Sequence, residues 1–281
     1  MKIKVLQRNV WFRERAENLL QTMKKCNPDI ICCQEVTLGS WFNDKRDVAN
    51  FIANELWYNY FYSKAHKYEY PIAPLWESNF WWNAIFSRFK INDSFDFALI
   101  NPDDSPNHPY ERRTCAVAKI QVWNTVLTIA TTHKSYSSRF SEDQDKIDET
   151  EKLVNFFKEN DNIIFTWDLN LTPEAKSVKM IESELQNCWP DYSQSTWTTK
   201  PFSFMGFEEN ELNWRLDYVF ASKNLKVIYK KCIQKYYEKS PRSLSCKASA
   251  QVMHTQCRVT SGQGQSQVRL RLILCLMVAE N

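Results

Sequence analysis

Apolar and polar side chains alternate over residues 2–11, where Ile3, Val5 and Val10 stand among charged and amide residues, and this period of two predicts a strand that opens a sheet. Residues 13–25 change period: Ala16, Leu19, Leu20 and Met23 recur at helical spacing. Asn27-Pro28-Asp29 ends that helix, because proline biases its predecessor away from helical backbone and offers no amide proton. The short apolar run Ile30-Ile31-Cys32-Cys33 between turn signals suits a buried central strand, which delivers Gln34 and Glu35 at its C-terminal end.

Residues 47–56 predict a second helix. The aromatic-rich stretch 57–82 reads as irregular chain leading into a strand at 83–87. Further strands are expected at 114–122, 125–131 and 162–166. A helix over 142–158 carries Ile147, Leu153, Val154, Phe156 and Phe157 on one period, and another spans 173–185. Strands at 216–220 and 226–229 follow. With no repeat of about 20–50 residues, a solenoid or propeller is not expected. Strands outnumber helices, and helical crossovers alternate with hairpin-like pairs. The implied class is α+β: two packed sheets flanked by helices in one domain over residues 1–240.

Composition separates residues 241–281 from that domain. All 40 aromatic residues lie at or before Tyr237, and two of the four glycines, Gly262 and Gly264, lie beyond it. Residues 1–242 carry 32 basic and 32 acidic side chains, so the net charge of +3 comes wholly from the last segment. That segment reads as an atypical low-complexity extension or as residues from an altered frame. A neutral body argues against a broad basic footprint for nucleic acid. The longest apolar run, Leu272 to Ala279, is eight residues, short of the roughly 20 that a membrane-spanning helix requires.

Nine scattered cysteines without a CxxC pair argue against a disulfide framework, and Cys246, His254 and Cys257 lack a fourth ligand at zinc spacing. Lys4, Gln7 and Arg8 break the first apolar stretch, unlike a signal peptide, so a cytoplasmic or nuclear protein that is not secreted is expected, as a monomer.

Polar residues gather at strand ends: Asn9, Glu35, His133, and Asp168 with Asn170. Strand ends converge in a sandwich, and carboxylate oxygens on a rigid scaffold suit Mg²⁺, a hard cation that keeps several waters and binds substrate phosphate. Trp76, Phe80, Trp81 and Trp82 could stack on unpaired bases, although such clusters are more often core.

In chain order, Asn9-Val10, Pro28-Asp29-Ile30-Ile31-Cys32-Cys33-Gln34-Glu35, Asn83-Ala84-Ile85-Phe86-Ser87-Arg88, Thr132-His133, Trp167-Asp168-Leu169-Asn170 and Arg215-Leu216-Asp217-Tyr218 resemble the motifs of the endonuclease/exonuclease/phosphatase superfamily. Arg15-Ala16, Arg139, Gln144 and Thr196-Trp197 resemble its 5′-tyrosyl-DNA phosphodiesterase branch. The resemblance implies a four-layer α/β/β/α sandwich and a Mg²⁺-dependent phosphodiesterase, with Mn²⁺ as an alternative metal. Nucleic acid is the first substrate class it implies, and a lipid or inositol phosphate the second. A catalytically dead binding module is the reading from a different class.

By the same resemblance, Glu35 ligates the metal, Asn9 lies beside it at the metal or contacts the phosphate, and Asp168 orients or deprotonates the attacking water. Asn170 binds the scissile phosphate or holds that water, His133 contacts the phosphate, Asp217 orients a catalytic histidine, and Trp197 and Arg88 contact substrate. Three departures stand out. The superfamily's terminal Ser-Asp-His is absent. Trp167 replaces a glycine where a turn is expected, and Lys134 replaces a leucine.

Overall fold

The computed structural model describes residues 2–68, 79–101, 112–192, 194–197, 201–204, 207–211, 213–233 and 271–278. The first sheet contains β1 (Lys2–Asn9), β2 (Ile30–Leu38), β3 (Asn59–Tyr68), β4 (Asn79–Ser87), β13 (Leu225–Ile233) and β14 (Arg271–Val278). The second contains β5 (Ile91–Ile100), β6 (Arg113–Val122), β7 (Thr125–His133), β8 (Ile163–Asp168), β9 (Gln186–Asn187) and β12 (Asp217–Ala221). Their orders are β13-β14-β1-β2-β4-β3 and β5-β6-β7-β8-β12-β9, while β10 (Phe202–Phe204) and β11 (Phe207–Glu209) form a separate hairpin. Helices α1 (Ala16–Cys26) and α2 (Val48–Leu56) cover the first sheet, and α3 (Gln144–Lys158) and α4 (Lys176–Glu184) the second. The expected four-layer sandwich is the observed fold.

Each strand serves two cores because successive side chains point to opposite faces. Ile3, Val5, Ile30 and Cys32 meet Ile129, Ile164 and Val219 between the sheets. The alternate residues Leu6, Ile31 and Cys33 pack under α1 and α2, and Ala130, Phe165, Tyr218 and Phe220 lie on the face covered by α3 and α4. Each sheet has a parallel pair at its centre, β1 with β2 and β7 with β8, joined through α1 and α3. Parallel pairing brings the C-terminal ends of four strands to one end of the sandwich.

Several regions differ from the sequence expectation. Residues 59–68 and 79–82 are strand rather than irregular chain, because β3 and β4 pair from Asn59↔Ser87 to Tyr68↔Asn79. Residues 91–100 form β5, which the sequence does not signal: it is an edge strand whose exposed middle holds Asn92, Asp93, Ser94 and Asp96. From the compositionally distinct segment, β14 lies between β13 and β1, antiparallel to both. It pairs from Gln7↔Leu272 to Lys2↔Met277, so the chain enters it at the end of β1 where Asn9 lies. Residues 241–270, including His254, and Trp76 lie outside the described residues. No helix among the described residues is long and apolar enough to cross a membrane.

Candidate active site

At one end of the sandwich the facing sheets change from apolar to polar. Along the inner face, Ile3 and Val5 give way to Gln7 and Asn9, Ile129 to Thr131 and His133, and Ile164 to Thr166 and Asp168. Antiparallel β12 begins at this end, with Asp217 opposite Asp168. Gln34 stitches the sheets together: its Nε2 donates to Thr131 Oγ1 at 2.7 Å, and Gln7 Nε2 donates to Gln34 Oε1 at 2.7 Å and to Asp217 Oδ1 at 3.2 Å. Thr166 Oγ1 donates to Thr131 Oγ1 at 2.8 Å. Sequence motifs single out none of Gln7, Thr131 and Thr166, although strand alternation places each beside a site residue.

Glu35 reaches this face through a bulge. Strict alternation after Gln34 would turn its side chain toward the helices, but the β2–β4 register shifts between Cys33 and Val36, and Glu35 takes φ 59°. A left-handed non-glycine residue is strained by about 1–3 kcal/mol, which the surrounding bonds must hold. The backbone N–H of Phe12 donates to Glu35 Oε2 at 3.1 Å, and Asn9 Nδ2 donates to Glu35 Oε1 and Asp168 Oδ2, both at 2.7 Å. One amide thus joins two carboxylates from different sheets.

His133 Nε2 lies 3.9 Å from Glu35 Oε1 and from Asp168 Oδ2. The ligand atoms of these three buried residues all lie within 4.8 Å of one another. Two carboxylates so close would repel by about 3 kcal/mol at an effective dielectric of 20. A divalent cation offsets that repulsion, and the oxygen-rich donor set fits Mg²⁺ or Mn²⁺. The chain's own atoms therefore suit the metal that the resemblance implies, with Asp168 and His133 beside Glu35.

Asn170 completes the cluster and is also left-handed, with φ 46°. Its backbone N–H donates to Asp168 Oδ1 at 3.2 Å, and its Nδ2 donates to Lys134 O at 2.9 Å and lies 3.1 Å from His133 Nε2. The sequence expectation of a strained turn at Trp167 is corrected here. Trp167 is an extended residue of β8 buried on the outer face, and the unusual backbone falls three residues later.

Arg88 and Trp197 differ from expectation. Arg88 lies where β4 ends and β2 begins, with Nη1 3.1 Å from Asp29 Oδ1, at the end of β2 opposite Glu35. It is remote from the cluster, because antiparallel pairing carries β4 away from the site. Trp197 is near it in the chain's path, since Thr196 Oγ1 accepts from the Asp217 N–H at 2.9 Å. Its ring, however, is 6% exposed and packs edge-on against Phe140 at 5.2 Å. The rings more open to solvent in that region are Tyr136, 41% exposed, and the partly buried Trp214, each also edge-on to Phe140.

Behind His133 and Asn170 lie two fully buried lysines, Lys134 just after β7 and Lys146 on α3. Lys134 Nζ donates to Lys146 O and Thr150 Oγ1, lies 3.8 Å from Glu149 and sits 5.1 Å over the Trp167 ring. The two residues that depart from the superfamily pattern thus touch each other. Burial lowers the pKa of both Lys134 and Lys146 to about 8, against partial compensation from Glu149 and Asp143.

These lysines release protons near pH 8 when folded and near 10.5 when unfolded, so between those values the unfolded chain holds more protons and stability rises with pH. The buried thiols of Cys32, Cys115 and Cys188 act oppositely: burial raises their pKa above 9.0, and stability falls as the unfolded thiols ionise. Urea unfolding of chelator-treated protein is expected to show a net gain of about 1–2 kcal/mol from pH 7 to 9, followed by a decline. A monotonic fall from pH 7 would contradict the buried ammonium groups.

The endonuclease/exonuclease/phosphatase family pattern matches residues 9–233. A solved endonuclease/exonuclease/phosphatase from Beutenbergia cavernae DSM 12333 is 16% identical, with 99% of this chain and 72% of that chain covered and a TM-score of 0.67. D. rerio TDP2 complexed with a single-strand DNA product is 13% identical, covering 98% and 99%, with a TM-score of 0.63. The mannosyl-6-phosphatase of Bacteroides thetaiotaomicron VPI-5482 is 15% identical, covering 98% and 97%, with a TM-score of 0.60. No curated protein matches the sequence. Identities this low speak for the fold alone, but the sequence match spans most of the chain and includes Asn9, Glu35, His133, Asp168 and Asn170. This chain belongs to the Endonuclease/Exonuclease/phosphatase family, whose members hydrolyse phosphoester bonds.

Proposed function

We propose that the protein is a Mg²⁺-dependent phosphodiesterase acting on nucleic acid, with a 5′-adducted DNA end as the leading substrate. The observation that carries this reading is the convergence of Glu35, Asp168, His133 and Asn170 at one end of the sandwich. Glu35 and Asp168 would hold the metal, and Asn9 would keep their carboxylates in register through its two donated bonds. When bound, the metal neutralises phosphate charge and stabilises the charge that develops in the transition state.

Asp168 would also orient the attacking water and accept its proton. The Asn170 amide and His133 would bind non-bridging phosphate oxygens. Asp217 faces this space with Gln7 as one hydrogen-bond partner, and would orient a cationic or imidazole group near the leaving oxygen. Tyr136, and to a lesser extent the partly buried Trp214, offer ring surface on which bases could stack, a contact tolerant of sequence. Binding of a single strand is further supported by the TDP2 relative, whose structure holds single-strand DNA product.

A second reading, hydrolysis of a small phosphoester, draws on the neutral charge of residues 1–242 and on the mannosyl-6-phosphatase relative. Incubation with a 5′-tyrosyl oligonucleotide, a plain abasic duplex, sphingomyelin and mannose 6-phosphate, with Mg²⁺ or with chelator, separates the readings. Turnover of the 5′-tyrosyl oligonucleotide that requires Mg²⁺ is the expected result. Turnover of mannose 6-phosphate alone would favour the second reading, and no turnover of any substrate would overturn the enzymatic one.

A further inference from the structure

Lys146 is the third residue of α3, fully buried, and anchored at both ends. Its backbone N–H donates to the capping Asp143 Oδ1 at 3.0 Å, and its carbonyl accepts from Thr150 Oγ1 at 2.7 Å, Ser177 Oγ at 3.3 Å and Lys134 Nζ. Its ammonium donates to Ser141 O at 2.8 Å and to Asn170 O at 3.1 Å. Burying an ammonium is costly unless it is well paired and bonded. Here the charge is spent on two main-chain carbonyls, one of them belonging to the left-handed residue at the site.

We propose that Lys146 is a positioning residue that, through the Asn170 carbonyl, holds the following peptide plane and keeps the Asn170 amide aimed at His133 and the bound phosphate. The functional consequence rests on the phosphodiesterase reading above, whereas the local one does not. Asparagine tolerates left-handed backbone better than most residues but does not require it. A charge-assisted bond to the carbonyl removes the freedom of that peptide to rotate. The Lys146 ammonium bonds to Ser141 O and Asn170 O rather than to Glu35, Asp168 or His133, so the link to the site that Lys146→Met removes is the one to Asn170. A displacement of about 1 Å at a group contacting phosphate can lower the rate about 10²-fold.

The test is a double-mutant cycle of Lys146→Met with Asn170→Ala, since methionine keeps most of the volume and removes the ammonium. On whichever phosphoester wild type turns over, Lys146→Met is expected to lower kcat about 10- to 100-fold with KM changed less than about threefold. In the Asn170→Ala background the same substitution should lower kcat by less than about threefold further, because its route of action is already gone. Equal effects in both backgrounds, as a general structural role would give, overturn the proposal.

A measurement without catalysis accompanies it: amide hydrogen exchange by NMR in chelator-treated protein. The Asn170 Nδ2 protons, one of which donates to Lys134 O, should exchange at least about tenfold faster in Lys146→Met, while the backbone N–H groups of Leu153 and Phe157 later in α3 stay unchanged. If Lys146→Met does not fold, Lys146→Gln, which keeps one donor group, takes its place in both measurements. Unchanged Asn170 exchange overturns the proposal whether or not the protein is an enzyme. Faster exchange in a protein without hydrolysis overturns the phosphodiesterase reading and leaves the positioning role in place.

Discussion

Asp168→Asn is expected to lower Mg²⁺-dependent hydrolysis about 10²- to 10⁴-fold and, at the same time, to raise the thermal stability of the chelator-treated protein. The two effects share one cause. Asp168 Oδ2 and Glu35 Oε1 receive hydrogen bonds from the same Asn9 Nδ2, each at 2.7 Å, and both side chains are buried. Without a cation their mutual repulsion, about 3 kcal/mol at an effective dielectric of 20, opposes folding. Neutralising one of them removes it.

A gain of about 1–3 kcal/mol corresponds to roughly 2–10 °C in Tm for a chain of this size, and Glu35→Gln should behave alike. Added Mg²⁺ should reverse the order: it raises the Tm of wild type and leaves both variants nearly unmoved. Differential scanning calorimetry with Mg²⁺ and with chelator, beside the hydrolysis assay, reads each arm. Wild-type activity in Asp168→Asn, or a Mg²⁺-induced Tm shift that survives Glu35→Gln, would remove these residues from the site.

Trp167→Gly, which restores the residue usual in the superfamily, is expected to destabilise this protein by about 4–6 kcal/mol. Trp167 is fully buried, its ring stands edge-on to Phe165 at 4.6 Å, and Lys134 Nζ lies 5.1 Å over its face. Glycine would leave a cavity of indole size in a central strand and take away the cation–π contact that helps a buried ammonium. Typical domains have only about 5–15 kcal/mol in hand, so the single variant should unfold at markedly lower urea.

Lys134→Leu in the same chain should recover part of the loss, because it removes the ammonium exposed to that cavity. The pair is therefore expected to be less damaging than the sum of its members by about 1 kcal/mol or more. Urea titrations of the two single variants and the double variant measure this coupling. Strict additivity, or a cost below about 1 kcal/mol for Trp167→Gly, would show that the two residues are not one packing unit.

Much of this protein is written in residue order. The period of two in β1, β7 and β8 shows which face is apolar and where it turns polar, since strand geometry leaves alternate side chains no choice of side. The superfamily motifs in order pointed to the sandwich and to Asn9, Glu35, His133, Asp168 and Asn170, because those side chains sit at the ends of recognisable strands. The proline stop before β2 and the helical spacing of α1 and α3 were equally readable, being local properties of the backbone.

Other features depend on contacts between residues far apart in the chain. Alternation alone would have turned Glu35 toward the helices, and only a bulge against β4 aims it at Asp168. Arg88 belongs to a site motif in sequence, yet antiparallel pairing sends it to the opposite end of the sheet. The strand β5 has a solvent-facing middle and acquires its identity by pairing with β6. Composition sets residues 241–281 apart, but the slot between β1 and β13 makes part of them a strand. Lys134 and Trp167 read as two unrelated departures until the fold stacks one on the other. Periodicity and motif order report what a residue does to its own backbone, and here they determined the fold class and the chemistry available. Register, bulges and interlayer packing join groups more than a hundred residues apart, and they alone decided which of those side chains meet.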